Sequence, residues 1–343
     1  MSKRLKIILL ILLVIIIGIA VVFKDSILPS VQDIAKDKYV LVYRNATLVS
    51  LADSLVKDGF IKSKSGLLMA ARLMQFKDKH LREGRFKAKP GWNDIRLLHE
   101  LAHGPSAPVK FVMNPVRKVE NLAAVAGNYL EYDSLDFLKA ILDPAFLAKS
   151  NIDSANAMTL FIPNTYEIYW QIKPDKFVEK MHDEEEKFWN EDDRPAKLKA
   201  LGMTKEQVYT LASIVDKEMQ KKVEKARIAG LYLNRLHNNM RLQADPTVVF
   251  GYGDFTIKRI LTKHIEYDTP YNTYLHDGLP PGPIGMASIA GIDAVLNHEV
   301  HNYLYMVARP DYSGLHDFSE TFESHREKAN KYRDWLTTQN IVN

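Results

Sequence analysis

The stretch TKEQVYTLASIVDKEM, residues 204–219, lies within the clearest helical pattern in the chain, which extends over residues 202–236. Thr204 and Gln207 form the capping-box pattern that starts a helix. Apolar side chains then recur at helical spacing, at Val208, Leu211, Ala212, Val215 and Met219. A stripe of this kind predicts an amphipathic helix that packs against a protein core.

Two carboxylates lie near the end of this helix, and helical spacing separates them. At about 100° per residue, Glu218 falls inside the apolar arc, whereas Asp216 falls just beyond the edge that Val223 marks. A carboxyl inside the arc loses hydration, which raises its pKa towards the range of a general acid. Glu218 is therefore the candidate catalytic acid, although an ordinary surface glutamate on a polar flank fits the same periodicity.

Hydrogen-bonding and aromatic side chains cluster downstream, in segments predicted to be loops and turns. These segments are NR at 234–235, RLQADPT at 241–247, TPYNTY at 269–274 and GLPPGP at 278–283. Aromatic rings pack on sugar faces, and amides pair with hydroxyl and N-acetyl groups. The cluster therefore suits a sugar polymer, while each residue alone is also typical of a turn or of a core tyrosine.

The N-terminus predicts a membrane anchor over residues 1–24. Lys3, Arg4 and Lys6 precede 17 residues, Ile7 to Phe23, that have no polar side chain. That length just crosses a bilayer as a helix. The basic residues before it place the N-terminus in the cytoplasm and everything from about residue 25 outside. A cleavable signal peptide is the alternative interpretation.

Composition limits the remaining classes of function. The chain has 343 residues, no cysteine and a net charge of +4. The absence of cysteine excludes disulfides, thiolate nucleophiles and cysteine-ligated zinc. The balanced charge argues against nucleic acid as a partner.

The body is predicted to be α+β, with about two folded units. Residues 39–104 repeat a strand-and-helix theme and form a small αβ module. Residues 105–200 are a mostly helical connecting region, and residues 201–343 a mixed α/β catalytic domain, with a last helix over about 321–337.

One motif points to a different chemistry. The segment HELAH, residues 99–103, matches the HExxH pattern of zinc proteases. Gly104 and Pro105 end this short helix at once, and no third ligand follows at the usual spacing. A zinc site at His99 and His103 is therefore the lesser alternative.

Four groups of segments together resemble the signature of the YceG-like family, membrane-anchored endolytic lytic transglycosylases of bacterial peptidoglycan. They are LASIVDKE (211–218) with NRL (234–236) and MRLQADPTV (240–248), PYNTY (270–274) with GLPPGPI (278–284), PNTY (163–166), and GLHDF (314–318) with His325. The resemblance covers nearly the whole chain and makes residues 39–104 LysM-like. Two positions depart from it: Asp216 replaces a glutamate, and Gly285-Met286-Ala287 replaces Asn-Pro-Gly.

The resemblance implies that Glu218 protonates the bond between N-acetylmuramic acid and N-acetylglucosamine and then deprotonates the muramic C6 hydroxyl. No water, metal or cofactor takes part. In this hypothesis Gln243, Asn272 and Tyr274 hold the glycan, and Asp245 and Arg235 order the loop. The predicted substrate-binding residues are Arg235, Gln243, Asp245, Thr247, Tyr271, Asn272, Thr273 and Tyr274.

The resemblance also implies a place and partners. The protein is expected in the bacterial cytoplasmic membrane with its catalytic domain in the periplasm, where it limits glycan length beside peptidoglycan synthases. A non-catalytic scaffold that binds peptidoglycan is the main alternative from another class.

Overall fold

The structure is a computed structural model that describes residues 7–8, 10–14, 28–33, 38–257 and 259–339. Its strands are β1 (Val40–Val42), β2 (Gly84–Phe86), β3 (Pro108–Val112), β4 (Thr165–Tyr169), β5 (Tyr305–Ala308) and β6 (His316–Ser319). Its helices are α1 (Leu48–Lys57), α2 (Lys64–Leu73), α3 (Asp94–His103), α4 (Val119–Tyr129), α5 (Ser134–Ile141), α6 (Pro144–Lys149), α7 (Pro174–Asn190), α8 (Arg194–Leu201), α9 (Lys205–Glu218), α10 (Lys222–His237), α11 (Asp245–Tyr252), α12 (Thr262–Ile265), α13 (Ile289–Leu296) and α14 (Phe322–Thr338). The prediction of a mixed helical and stranded protein is confirmed.

The chain divides into two compact units. The first comprises residues 1–111, 127–133 and 166–173, and the second comprises residues 112–126, 134–165 and 174–343. The predicted module 39–104 lies wholly within the first unit, and the predicted catalytic domain 201–343 lies wholly within the second. The predicted connecting region is shared between them.

The first unit is built on a two-stranded antiparallel sheet in which Val40 lies opposite Phe86. Side-chain caps at Thr47, Ser63 and Asn93 start α1, α2 and α3, because these short polar residues satisfy free N–H groups at a helix start. The helices bury one apolar face against the sheet, including Leu51, Leu55, Leu67, Leu98 and Leu101. Each strand and helix predicted over residues 39–104 is present.

Helix α9 is the central helix of the second unit and packs against α10, α11 and α13. The predicted capping box at Thr204 and Gln207 is present. The stripe is fully buried, with Val208, Leu211 and Val215 all at 0% exposure. This burial holds the end of α9, and so Glu218, at a fixed place.

The continuous helix predicted over 202–236 is wrong at one point. Helix α9 ends at Glu218, Met219 is extended (φ −137°, ψ 120°), and α10 starts at Lys222. Val223, predicted to mark an edge of the apolar arc, is 73% exposed because the new helix has a different orientation about its axis. The break leaves Glu218 at a helix end, where its side chain reaches a cavity.

A second expectation also needs correction. Residues 241–247 were expected to be loop and turn throughout, but α11 starts at Asp245. Pro246 lies in the first turn, where proline's missing N–H costs no helical hydrogen bond. The turn residues in this segment therefore mark a helix start.

No helix within the described residues is long and apolar enough to cross a membrane. Of the predicted anchor, residues 1–24, only 7–8 and 10–14 are described, and these are helical. The rest of the anchor lies outside the described residues, and the anchor stays a prediction.

Candidate active site

Glu218 occupies the last position of α9 and is half-buried. Its carboxyl accepts a 2.8 Å hydrogen bond from the hydroxyl of Tyr232, a residue of α10 that is 2% exposed. Burial raises the pKa of Glu218 to about 7, while the hydrogen bond from Tyr232 opposes that rise. The negative charge of Asp245 adds to the rise, and Arg235 opposes it. A carboxyl with this pKa is poised to give and take a proton at neutral pH.

Glu218 lines a cavity of about 290 Å³, which we call the acid pocket. Four of the eight predicted binding residues line it too: Arg235, Gln243, Asp245 and Tyr274. Tyr232, strand β5 and two histidines complete its walls. The pocket therefore brings together residues from α9, α10, the segment before α11, the 270s turn and the β5–β6 hairpin.

Arg235 links two segments that line this pocket. Its guanidinium donates to the carbonyl oxygens of Leu304 at 2.7 Å and Leu242 at 2.8 Å, and to Oε1 of Gln243 at 3.3 Å. Gln243 has a left-handed backbone (φ +49°), which few non-glycine residues adopt, and its side chain accepts the bond from Arg235. Arg235 thus joins β5 to the loop that carries Gln243.

Asp245 and Tyr274 form a second polar pair in the pocket. The Tyr274 hydroxyl donates to Oδ1 of Asp245 at 2.6 Å. Burial and this carboxylate raise the pKa of Tyr274, which keeps its hydroxyl protonated. The pocket therefore presents a hydroxyl, an amide and a second carboxylate around Glu218.

The other four predicted binding residues do not line the acid pocket. Thr247 and Thr273 are buried and join their hydroxyls at 2.8 Å, and Thr273 also accepts from the amide of Ala244. Asn272 is buried and donates to the carbonyl oxygens of Ile265 and Tyr267. Tyr271 packs on Phe250, with ring centroids 4.8 Å apart. These contacts hold the loops in shape, and a role in binding stays a prediction.

Three titratable residues of the pocket, Tyr232, His316 and His325, were not among the predicted site residues. Tyr232 lies one helical turn before Arg235. Helical spacing from Arg235 could therefore have identified Tyr232 as a residue of the same site. His316 and His325 belong to a quoted motif, but nothing in the sequence relates them to Glu218. His325 stacks on Tyr305, and its Nδ1 is buried with no hydrogen-bond partner in the described part of the chain.

Asp216 is more buried than the helical wheel predicts. Its carboxylate is 12% exposed and pairs with Lys225 of α10, which is 8% exposed. It also accepts from the amide of Ser288 at 2.6 Å and from the hydroxyl of Ser288 at 3.0 Å. A Cβ at Gly291 would lie 2.5 Å from this carboxylate, so the close approach of α13 requires glycine there. Asp216 therefore links α9 to α10 through an ion pair and to the start of α13 through hydrogen bonds.

The structure gives no support to a metal site at the HELAH segment. His99 and His103 are exposed on α3, and Glu100 pairs with Arg96 at 2.6 Å. In the described residues, one group brings three possible metal ligands within 4.8 Å of one another: His182, Glu185 and Glu186. The ammonium of Lys205 contacts both of those glutamates and already supplies the positive charge.

A larger cavity of about 1120 Å³ lies at the opposite end of α9 from Glu218, beside Met203, Thr204 and Gln207. None of the predicted site residues lines it. Size alone would make this cavity the candidate active site. The raised pKa of Glu218 and the polar side chains that converge on it favour the acid pocket instead.

The sequence pattern of the YceG-like family matches residues 40–331, well over half of the chain and all of the site just described. The chain belongs to the YceG-like family. A solved YceG-like protein from Listeria monocytogenes has a similar fold, with a TM-score of 0.56 and 26% identity over 84% of this chain and 98% of that one.

Two similar proteins are named for an enzymatic activity. A Bacillus subtilis (strain 168) protein named endolytic murein transglycosylase is 38% identical over 125 residues, which are 36% of this chain and 34% of that protein. A protein of the same name from Streptococcus pneumoniae (strain D39) is 26% identical over 320 residues, which are 83% of this chain and 56% of that protein. The chain thus spans a third to about half of the length of these relatives.

Proposed function

We propose that this protein is a lytic transglycosylase that cleaves peptidoglycan strands internally and leaves 1,6-anhydro-N-acetylmuramic acid ends. The observation that carries the proposal is the half-buried carboxyl of Glu218, with its pKa raised to about 7, in a pocket lined by sugar-binding types of side chain. Membership of the YceG-like family and the names of the two relatives support it.

In the first step, protonated Glu218 gives its proton to the glycosidic oxygen. The bond from that oxygen to C1 of N-acetylmuramic acid breaks, and its electron pair leaves with the N-acetylglucosamine hydroxyl. In the second step, the Glu218 carboxylate takes the proton of the muramic C6 hydroxyl as that oxygen bonds to C1. Glu218 ends protonated again, and no water is consumed. A pKa near 7 suits both transfers.

The internal nucleophile explains why one carboxyl is enough. Glycoside hydrolases ordinarily need a second carboxyl to attack C1 or to activate water. A hydroxyl of the same sugar has a high effective concentration, so orientation replaces that second group. Gln243 and Tyr274 are placed to orient the sugar, and Arg235 holds the loop of Gln243.

We also propose that residues 1–24 anchor the protein in the cytoplasmic membrane with the N-terminus in the cytoplasm. The basic cluster and the apolar run that follows it support this orientation. The catalytic unit then faces the periplasm and meets new glycan strands near the membrane, where peptidoglycan synthases are the expected partners. Cleavage at that place limits glycan length.

The proposal is tested by digesting uncrosslinked peptidoglycan strands and analysing the ends by mass spectrometry. The native protein should produce anhydro ends, and Glu218→Gln should produce none. Glu327→Gln, the same change at an exposed position of α14, should retain full activity. Binding without cleavage by the native protein would favour the scaffold alternative, and loss of activity in chelator would favour the zinc site.

A further inference from the structure

Glu218 and Asp245 also line a second cavity of about 700 Å³, on the side of Glu218 away from the histidines. Three cationic side chains line this cavity: Arg117, Lys217 and Arg259. We call it the cationic cleft. Its remaining wall is largely apolar and includes Val249, Phe250, Phe255, Ile257 and Ile260.

Among the ion pairs formed by the described residues, none includes Arg117, Lys217 or Arg259. Desolvation lowers the pKa of Lys217 and the charge of Arg117 lowers it further, whereas Asp216 acts in the opposite direction. Two like charges close enough to affect each other, neither of them in an ion pair among the described residues, favour a bound anion.

Two of the cations occupy one wall of the cleft. A Cβ at Gly285 would lie 3.6 Å from Cε of Lys217 and 3.7 Å from Cα of Arg117, so the two residues flank this glycine. The guanidinium of Arg117 lies over the ring of Phe255, 4.0 Å from its centroid. That stacking fixes the direction of Arg117 and leaves its N–H groups free for an acceptor.

We propose that the cationic cleft binds a carboxylate of the stem peptide carried by the muramic acid residue at the cleaved bond. The inference depends on the proposed function. The glycan backbone itself is uncharged, so the cations have no role towards it. Stem peptides carry free carboxylates, and their alanine methyl groups match the apolar wall. The cleft is contiguous with Glu218, so the stem of the reacting sugar reaches it.

A pyrophosphate at the lipid-linked end of a new strand is the other anion that peptidoglycan offers. Internal cleavage places that end away from the reacting sugar, whereas every muramic acid residue brings its own stem to the site. The position of the cleft beside Glu218 therefore favours the stem carboxylate.

The test compares uncrosslinked glycan strands that carry tetrapeptide stems with the same strands stripped of their stems by an amidase and then converted to the amide at the lactyl carboxyl that the amidase exposes, so that the stripped glycan is uncharged. The readout is the ratio of kcat/KM on the two substrates for the full-length protein. We expect the native protein to prefer stem-bearing strands, and Arg117→Gln together with Lys217→Met to reduce that preference about tenfold, mainly through KM. Arg117→Lys should retain most of it.

The control is Arg326→Gln, which removes an exposed cation of α14 outside the cleft and should leave the ratio unchanged. An equal loss on both substrates in the double variant would overturn the proposal, and so would an unchanged ratio. A loss seen only on stripped strands that still end in a polyprenyl pyrophosphate would assign the cleft to pyrophosphate instead. If the native protein cleaves neither substrate, it is the proposed function that fails.

Discussion

The hydroxyl of Tyr232 lies 2.8 Å from Oε1 of Glu218 and donates a hydrogen bond to it. Burial raises the pKa of Glu218 and this bond lowers it, and burial is the larger effect. Two opposing influences thus set the value of about 7. The donor is itself buried on α10, so the pair also fixes where α9 ends relative to α10.

The first prediction concerns the pH dependence of cleavage. The first step needs protonated Glu218, so kcat/KM should fall as the pH rises through about 7. Tyr232→Phe removes a donor to the charged carboxylate, which raises the pKa of Glu218 further. The fall should then move to higher pH by about one unit. A pH–rate profile of the two proteins measures this shift.

Tyr312→Phe is the matched control for that prediction, because Tyr312 is 69% exposed and far from Glu218 in the sequence. Its profile should coincide with that of the native protein. A Tyr232→Phe profile that moves to lower pH would contradict the assignment of Glu218 as the acid.

The second prediction concerns stability. The folded-state pKa of Glu218 is about 7, above the usual value of 4.5, so the folded protein binds more protons between those two pH values. The free energy of unfolding therefore decreases through this group as the pH rises across that window. Glu218→Gln removes the charge and should be more stable than the native protein at pH 8 by on the order of 2 kcal/mol. The difference should shrink towards pH 4.

Urea unfolding of both proteins at these two pH values provides the measurement. A stability difference that does not change with pH would mean that Glu218 titrates normally in the folded protein. Burial also raises the pKa of Glu185 to about 7, so this group changes the stability of both proteins over the same pH range. Only the difference between variant and native protein isolates the effect of Glu218.

The third prediction concerns the ion pair between Asp216 and Lys225. Asp216→Asn leaves the buried Lys225 ammonium without its countercharge and weakens two hydrogen bonds from Ser288. We expect a loss of about 3 kcal/mol in the free energy of unfolding. The control is Asp53→Asn in the exposed pair with Lys64, where less than 1 kcal/mol is expected. Equal effects of the two changes would show that the buried pair has no special role.

The fourth prediction tests whether Thr273 stabilises the loop beside Gln243 or contacts the glycan directly. Thr273→Val removes the hydroxyl that accepts from Ala244 and contacts the hydroxyl of Thr247, so the amide of Ala244, next to Gln243, loses its acceptor. We expect a loss of about 1 to 2 kcal/mol in stability, accompanied by weaker activity. Thr262→Val, at an exposed position of α12, is the control. A fall in activity with full stability would instead make Thr273 a direct contact to the glycan.

Much of the site could be predicted because it depends on local patterns. Helical spacing alone put Glu218 on the edge of a buried face, and the structure confirms that it is half-buried at the end of α9. The capping box at Thr204 fixed the start of that helix correctly. Polar and aromatic residue types indicated Arg235, Gln243, Asp245 and Tyr274, which do line the acid pocket, although Arg235 and Asp245 lie on helices and not in the loops predicted for them.

What could not be predicted depends on contacts between distant segments. Asp216 is buried because Lys225 neutralises its charge and Ser288 donates hydrogen bonds to it, and the helical wheel of α9 contains neither residue. The break after Glu218 is not visible in the sequence pattern, because Met219 and Val223 keep the helical spacing of the apolar stripe across it. The same holds for His325, which reaches the pocket only because α14 packs on β5.

The most direct test of the central claim is cleavage in water enriched in heavy oxygen. Glu218 is proposed to regain its proton from the C6 hydroxyl of the cleaved muramic acid, and that hydroxyl oxygen bonds to C1, so the new muramic acid ends should be anhydro and carry no label. A second carboxylate, Asp245, is close enough to raise the pKa of Glu218, and a two-carboxyl hydrolase would use such a group to activate water. Unlabelled anhydro ends support the account, and reducing ends that carry heavy oxygen would contradict it.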